Sequence, residues 1–184
     1  MKIYKRTERI IIRDWNKEDL APFTEMNSDP KVMRYFPAVL TPEKSLEFFE
    51  RIKAAIVANG YGLFAVELAA TNELIGFIGF ARPRFEARFT PCIEIGWRLR
   101  RKFWRMGLAT EGASACLEMG FDEFAFDEIF SFTSEINTPS RRVMEKIGLS
   151  HIDDFDHPNI PEGDVLRKHV LYKISRAEYF AAQK

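Results

Sequence analysis

Residues 94 to 113 read EIGWRLRRKFWRMGLATEGA: a short strand-like run, a cluster of basic and aromatic side chains, one glycine, and then helix formers. Arg100, Arg101, Lys102 and Arg105 crowd ahead of Gly107, where the helix pattern begins. A helix leaves its first amides unpaired and carries partial positive charge at that end. A glycine-bearing loop there is therefore able to hold phosphate oxygens through backbone N–H groups. Glycine at 107 lets such a ligand approach the main chain closely. The same pattern also describes an ordinary solvated connection, and this stretch alone leaves both readings open. It is neither a Walker motif nor a dinucleotide fingerprint, because the paired glycine and the following Lys-Ser or Lys-Thr are missing.

Outward from this stretch, composition narrows the class. With 184 residues the chain is long enough for one domain, 1–184, with a sizeable core that needs no metal or disulfide. Lys plus Arg equals Asp plus Glu at 27 each, so no global field draws the chain to nucleic acid or an anionic membrane, and an anion site has to be local. Cys92 and Cys116 are too few for a disulfide framework or zinc knuckle. His151, His157 and His169 lack metal-ligand spacing, so no metal is expected. The opening MKIYKRTERIIIRDW holds no apolar segment of signal-peptide or membrane-span length, which makes a cytoplasmic location the expectation. Seventeen phenylalanines predict a core rich in aromatic packing.

The pattern of periods then gives an element order. RIIIRD, residues 9 to 14, reads as a strand, and NKEDLAPFTEM after it as a helix start. From Thr41 to Gly60, TPEKSLEFFERIKAAIVANG has a Thr cap, Pro at the first helical position and a closing Gly. Leu46, Phe48, Phe49, Ile52 and Ile56 keep helical spacing. YGLFAVEL, ELIGFIGFAR and CIEIGWRL read as three strands, the first two joined by AATN, and imply an antiparallel meander. A helix from about Gly107 to Phe121 follows, then EIFSFTSE as a strand, SRRVMEKIG as a helix, and HIDDFD and VLRKHVLYKIS as strands. Such an order means α+β or mixed α/β, with a central sheet covered by helices. The stretch 153 to 164, DDFDHPNIPEGD, predicts an exposed acidic loop between the last two strands.

Two segments together carry a resemblance. EIGWRL from Glu94 leads into WRMGLATEGA from Trp104, and NTPSRRVMEKIGL follows from Asn137. In this order and spacing they resemble the GNAT superfamily of acyl-CoA-dependent N-acyltransferases, in particular its RimJ/RimL-like branch, over most of the chain. The resemblance implies a mostly antiparallel twisted sheet of about seven strands flanked by helices and splayed between the fourth and fifth. It implies acetyl-CoA as co-substrate. Its pyrophosphate would lie against Trp104, Arg105, Met106, Gly107, Leu108, Ala109 and Thr110, with nearby Arg and Lys side chains adding charge-assisted contacts, and Leu99 would lie at the entrance to the loop. The family often has Gly where this chain has Arg105, a departure that constrains the loop. The pantetheine arm would lie between CIEIGWRL and EIFSFTSE, with Asn137 bonding it and Ser140 near the thiol. Arg142 is the candidate for the adenosine phosphate. Helix capping also accounts for Asn137 and Ser140.

Amide formation requires a neutral amine, so a base or water chain has to take its proton. Glu94 is the candidate base, and strand alternation places it on one face with Gly96 and Arg98; an ion pair with an Arg of an adjacent strand is the alternative reading. Ser140 is the candidate proton donor to the thiolate, since no Tyr follows Asn137 closely. Cys116 reads as packed rather than nucleophilic. The expected activity is transfer of an acetyl group to a primary amine, a protein N-terminus or a small amine, by direct attack in a ternary complex. A CoA-binding regulatory module without catalysis is the alternative. Many members self-associate, so a homodimer is among the expectations; nucleic-acid and membrane partners are not.

Overall fold

The β-branched run near the start pairs as predicted. In the computed structural model, which describes residues 1–183, Ile10–Arg13 (β2) is buried at every position. It is preceded by Ile3–Arg6 (β1), a half-exposed strand that the apolar pattern did not mark. After these come α1 (Leu20–Ser28), α2 (Pro42–Asn59), β3 (Leu63–Leu68), β4 (Glu73–Ala81), β5 (Glu94–Leu99) and α3 (Leu108–Asp122). The chain ends with β6 (Glu128–Ser134), α4 (Thr138–Lys146), β7 (Ser150–Asp156), β8 (Lys168–Ser175) and α5 (Arg176–Ala181). The fold is mixed α+β, with eight strands in the order β1-β2-β3-β4-β5-β6-β8-β7. Pairing is antiparallel from β1 to β4 and from β6 to β7, and parallel between β5 and β6. The chain divides into two compact units, Met1–Phe80 with Gly96–Cys116, and Ala81–Ile95 with the residues from Leu117 onward.

In the first unit the signals at the ends of α2 are used as read. Thr41 Oγ1 accepts the Lys44 N–H at 3.3 Å, Pro42 opens the helix, and Gly60 closes it in the left-handed conformation. The buried face is Ser45, Phe49, Ile52 and Ile56, spaced i, i+4, i+7 and i+11. Leu46 is 45% exposed, contrary to its expected place in the core, because it stands about 100° around the helix from Ser45. Trp15, Phe23 and Phe49 meet edge to face with centroids 5.2 to 5.5 Å apart. Beside them Arg13 is buried between two carboxylates. Its Nη1 and Nη2 donate to both oxygens of Asp19 at 2.7 and 2.9 Å, and its Nε donates to Glu67 at 2.6 Å. Strands β2 and β3 and the turn entering α1 are thereby tied through one guanidinium.

Strand β4 carries a backbone constraint of its own. Gly76 has φ +149, and a Cβ there would overlap the Arg98 carbonyl oxygen and lie 2.8 Å from Leu99 Cα. Only glycine lets β5 lie this close. Arg100 N–H donates to Ile75 O at 2.8 Å and continues the attachment where the strand ends.

In the second unit β6 pairs with β8 from Glu128↔Ser175 to Ser134↔His169, and β7 pairs along the other edge of β8. The aromatic composition gathers here as well: Phe85, Phe89, Phe130, Phe132, Phe155, His157 and His169 form a continuous cluster of rings. The acidic stretch 153 to 164 divides differently from its prediction. Asp153, Asp154 and Asp156 belong to β7; Asp153 and Asp156 are ion-paired with Arg88 and Arg167, and Asp154 is hydrogen-bonded to His151, so only the residues after Asp156 form the loop. No helix among the described residues is long and apolar enough to cross a membrane.

Removing one member of a buried ion pair strands the others at a cost of about 3–5 kcal/mol. Arg13→Met is expected to lower unfolding free energy by that amount in urea titration. A loss within about 0.5 kcal/mol, as for ordinary surface substitutions, would show that the triad does not fix α1 to the sheet.

Candidate active site

The loop that opened the sequence reading turns sharply. Leu99 is buried at the end of β5, Arg101–Phe103 make one 3-10 turn, and the Trp104 side chain folds back so that Nε1 donates to Leu99 O at 2.9 Å. Arg105 and Gly107 then both adopt left-handed conformations, φ +62 and +78. Leu108 is buried and anchors the start of α3, while Arg105, Met106 and Gly107 are exposed. The first amide of this segment to find a protein acceptor is Glu111, whose N–H donates to Gly107 O at 3.0 Å. Among the described residues the N–H groups of Arg105 through Thr110 have none. Left-handed residues interleaved along the main chain, running into a helix N-terminus, leave a concavity of backbone amides of the kind able to accept an anion.

The basic side chains that drew attention here have other roles. Arg100 donates to Glu73 at 2.8 Å and Glu25 at 2.7 Å, Lys102 pairs with Glu73, and Arg101 lies 3.4 Å from Asp29. Arg105 has no carboxylate partner among the described residues, so the free cation of the cluster is the one on the loop itself. Sequence reading missed the residue that holds the loop. Arg9 donates to Met106 O at 2.8 Å and to Glu111 Oε2 at 2.7 Å through Nε, while Thr7 Oγ1 donates to Glu111 Oε1 at 2.5 Å. Burial works to raise the Glu111 carboxyl, but the Thr7 and Arg9 hydrogen bonds and the Arg9 charge outweigh it and hold the group below its ordinary value. Glu111 stood inside the quoted motif; Arg9 lies 102 residues earlier, and nothing local links the two.

In the second unit Glu94 opens β5. It is half-buried, has no basic partner among the described residues, and burial pushes its carboxyl up to about 8. The ion-pair alternative is thus not the arrangement found. Cys92, two residues earlier, is pushed up to about 12 by burial and by the Glu94 charge. The parallel ladder of β5 with β6 consists of the single pair Glu94↔Phe130, and Ser131 Oγ then donates to Ile95 O at 2.9 Å where a strand amide would otherwise do so. Asn137 is the N-cap of α4: Oδ1 accepts the Ser140 N–H at 3.3 Å and Nδ2 donates to Thr133 Oγ1 at 2.8 Å. The capping role is therefore real, and the second Nδ2 hydrogen is left over. Ser140 is half-buried in the first turn of α4, and its hydroxyl has no hydrogen-bond partner among the described residues; Arg142 is exposed on the same helix. Cys116 is buried completely in α3, and burial pushes its thiol up, as suits a packed side chain. Among the described residues no three His, Cys, Asp or Glu side chains gather as a metal site would require.

Comparison with known proteins bears on both halves of the chain. Residues 9–150 match the family described as an acetyltransferase (GNAT) domain. YnaD, an uncharacterised N-acetyltransferase of Bacillus subtilis (strain 168), is 33% identical over 174 residues, 94% of this chain and 97% of its own. The FsC-acetyl coenzyme A-N(2)-transacetylase of Aspergillus fumigatus is 37% identical over 173 residues, 87% of this chain and 71% of its own. A GNAT-family acetyltransferase from Bacillus anthracis superposes with a TM-score of 0.78 at 33% identity, covering 96% of this chain and 99% of the other.

A left-handed conformation costs a residue with a Cβ about 1–2 kcal/mol. Arg105→Gly is expected to raise stability by about 1 kcal/mol, read as a rise in Tm of about 2–4 °C. An unchanged or lower Tm would mean that the arginine side chain offsets the backbone cost.

Proposed function

This chain belongs to the GNAT acetyltransferase family and is an N-acetyltransferase, and we propose that it transfers the acetyl group of acetyl-CoA directly to a primary amine in a ternary complex, as a cytoplasmic enzyme of the RimJ/RimL-like kind. The observation that carries the donor assignment is the run of unpartnered amides from Arg105 to Thr110 at the start of α3. Those amides fit a pyrophosphate, with the free Arg105 cation beside them, and Leu99 and Trp104 shape the entrance. The Aspergillus relative, which carries acetyl coenzyme A in its name, supports the same donor. Bound there, acetyl-CoA supplies a thioester as the acyl source.

The remaining roles follow from the side chains. The leftover Nδ2 hydrogen of Asn137 suits a carbonyl of the pantetheine arm, and the arm would run where the β5–β6 ladder ends at Ser131. Glu94 as the carboxylate takes the amine proton while nitrogen bonds to the acyl carbon. The carbon–sulfur bond then breaks, and the free hydroxyl of Ser140 gives the departing sulfur a proton that solvent restores. Exposed Arg142 would meet the adenosine phosphate. The acceptor is a protein N-terminal amine or a small amine.

Two measurements test this reading. A base whose pKa is raised to about 8 is mostly protonated at neutral pH and becomes competent as pH rises, so the rate at saturating acetyl-CoA is expected to climb with pH through about 8. Glu94→Gln should lower the rate by about 10²–10⁴-fold with unchanged donor affinity and leave only the climb that the acceptor amine's own deprotonation gives; a rate close to that of the wild type would exclude Glu94 as the base. Gly107→Val places a branched side chain at φ +78 and is expected to weaken calorimetric acetyl-CoA binding by at least about tenfold, or about 1.4 kcal/mol. Unchanged binding would remove the loop from the donor site.

A further inference from the structure

Arg98, on β5, is a cation with no carboxylate partner among the described residues. Its guanidinium carbon lies 4.1 Å from the ring centroid of Phe36, 5.3 Å from that of Phe77 and 5.8 Å from that of Phe48, so rings from the α1–α2 connection, β4 and α2 surround it. Its hydrogen bond is to a neutral group: Nη1 donates to Asn27 Oδ1 at 2.6 Å. Nε of Arg98 is buried with no partner among the described residues, and so are Nδ2 of Asn27, a fully buried residue, and Oγ of Ser45 on the core face of α2. The carboxylates of the surrounding elements are used elsewhere. Glu25 of α1 and Glu73 of β4 pair with Arg100, Asp29 pairs with Arg101, and the glutamates of α2 are exposed. Burial without a counterion pushes the Arg98 pKa down to about 9.

A buried charge is ordinarily paired, and buried donors are ordinarily bonded. Arg98 and Asn27 together leave two N–H donors of one small region unsatisfied beside a positive charge held over aromatic faces. A carboxylate is the group that answers both needs at once, since it accepts several hydrogen bonds and brings the missing negative charge. We propose that Arg98, oriented by Asn27 and the rings of Phe36, Phe48 and Phe77, binds a carboxylate of the acceptor, so that the substrate class is an amine that also bears a carboxylate, as free amino acids do. This deepens the acetyltransferase reading and rests on it for the word acceptor, but the anion site has a readout of its own.

The test uses a panel of amino acids, each paired with its carboxamide. Thiol release is expected to favour the acid over the amide in kcat/KM by at least about tenfold for the preferred side chain. Arg98→Met should bring that ratio near one. Comparing variant with wild type cancels the difference in amine basicity within each pair. Asn27→Asp, isosteric and able to supply an internal carboxylate to Arg98, should also remove the preference while raising the unfolding midpoint. It serves if Arg98→Met does not fold. Independently of turnover, the Arg98 Nε–H nuclear magnetic resonance, identified by its loss in Arg98→Met, should shift with N-acetylated amino acids and not with their amides. Equal acid and amide rates in the wild type, a preference that survives Arg98→Met, or a resonance indifferent to the carboxylate would each overturn the proposal. Failure of the acetyltransferase reading would show itself differently, as absence of acetyl-CoA binding in calorimetry, and the resonance titration would still decide the anion site.

Discussion

A contact between two stretches of main chain sets the first unit. At Gly76 the backbone of β4 meets the backbone of β5 at Arg98 and Leu99 with no room for a single added carbon. Side-chain packing tolerates exchange of volume, but two backbones in van der Waals contact do not. This approach fixes where β5 ends, hence where Arg100 takes the Ile75 carbonyl and where the loop to α3 must start turning. It also fixes the position of Arg98, whose carbonyl is pressed against Gly76 while its guanidinium reaches Asn27. One missing Cβ thus sets the geometry of two features with different chemistry, the amide concavity and the buried cation.

Around that constraint the chain uses charge in two opposite ways. Arg13 is buried with its carboxylates already in place, a closed arrangement that ties strands β2 and β3 to the start of α1. Arg98 is held among rings and bonded to an amide, an arrangement left incomplete by the protein itself. The same residue type therefore marks structure at one position and unmet binding capacity at another. The difference is visible only once the hydrogen-bond partners are counted.

How far the sequence could be read follows from the range of each interaction. The caps of α2 at Thr41 and Gly60, the hairpin between β3 and β4 and the Asn137 cap are local, so residues a few positions apart announce them. The motif around Gly107 was legible for the same reason, since a loop running into a helix N-terminus is a contiguous feature. Leu46 was misplaced because α2 turns one residue out of phase with its hydrophobic count, Ser45 taking the buried position. Arg9 and Asn27 were invisible: their partners lie 102 and 71 residues away, and neither residue stands in a pattern of its own. The basic cluster misled in a different way, because Arg100, Arg101 and Lys102 look like phosphate ligands until Glu25, Asp29 and Glu73 are found beside them.

That pairing has a consequence for how the loop responds to its solvent. A site that gathers phosphate by many loose cations loses affinity steeply as salt rises, because each exposed charge is screened. Here Arg100, Arg101 and Lys102 are already paired with carboxylates, and what faces outward is Arg105 beside a set of backbone dipoles fixed by Arg9, Gly107 and the helix that follows. Fixed dipoles at contact distance are poorly screened by mobile ions. A pyrophosphate seated there would be held mainly by shape and amide geometry, with an affinity that falls less steeply with salt than a site built from the whole basic cluster would show.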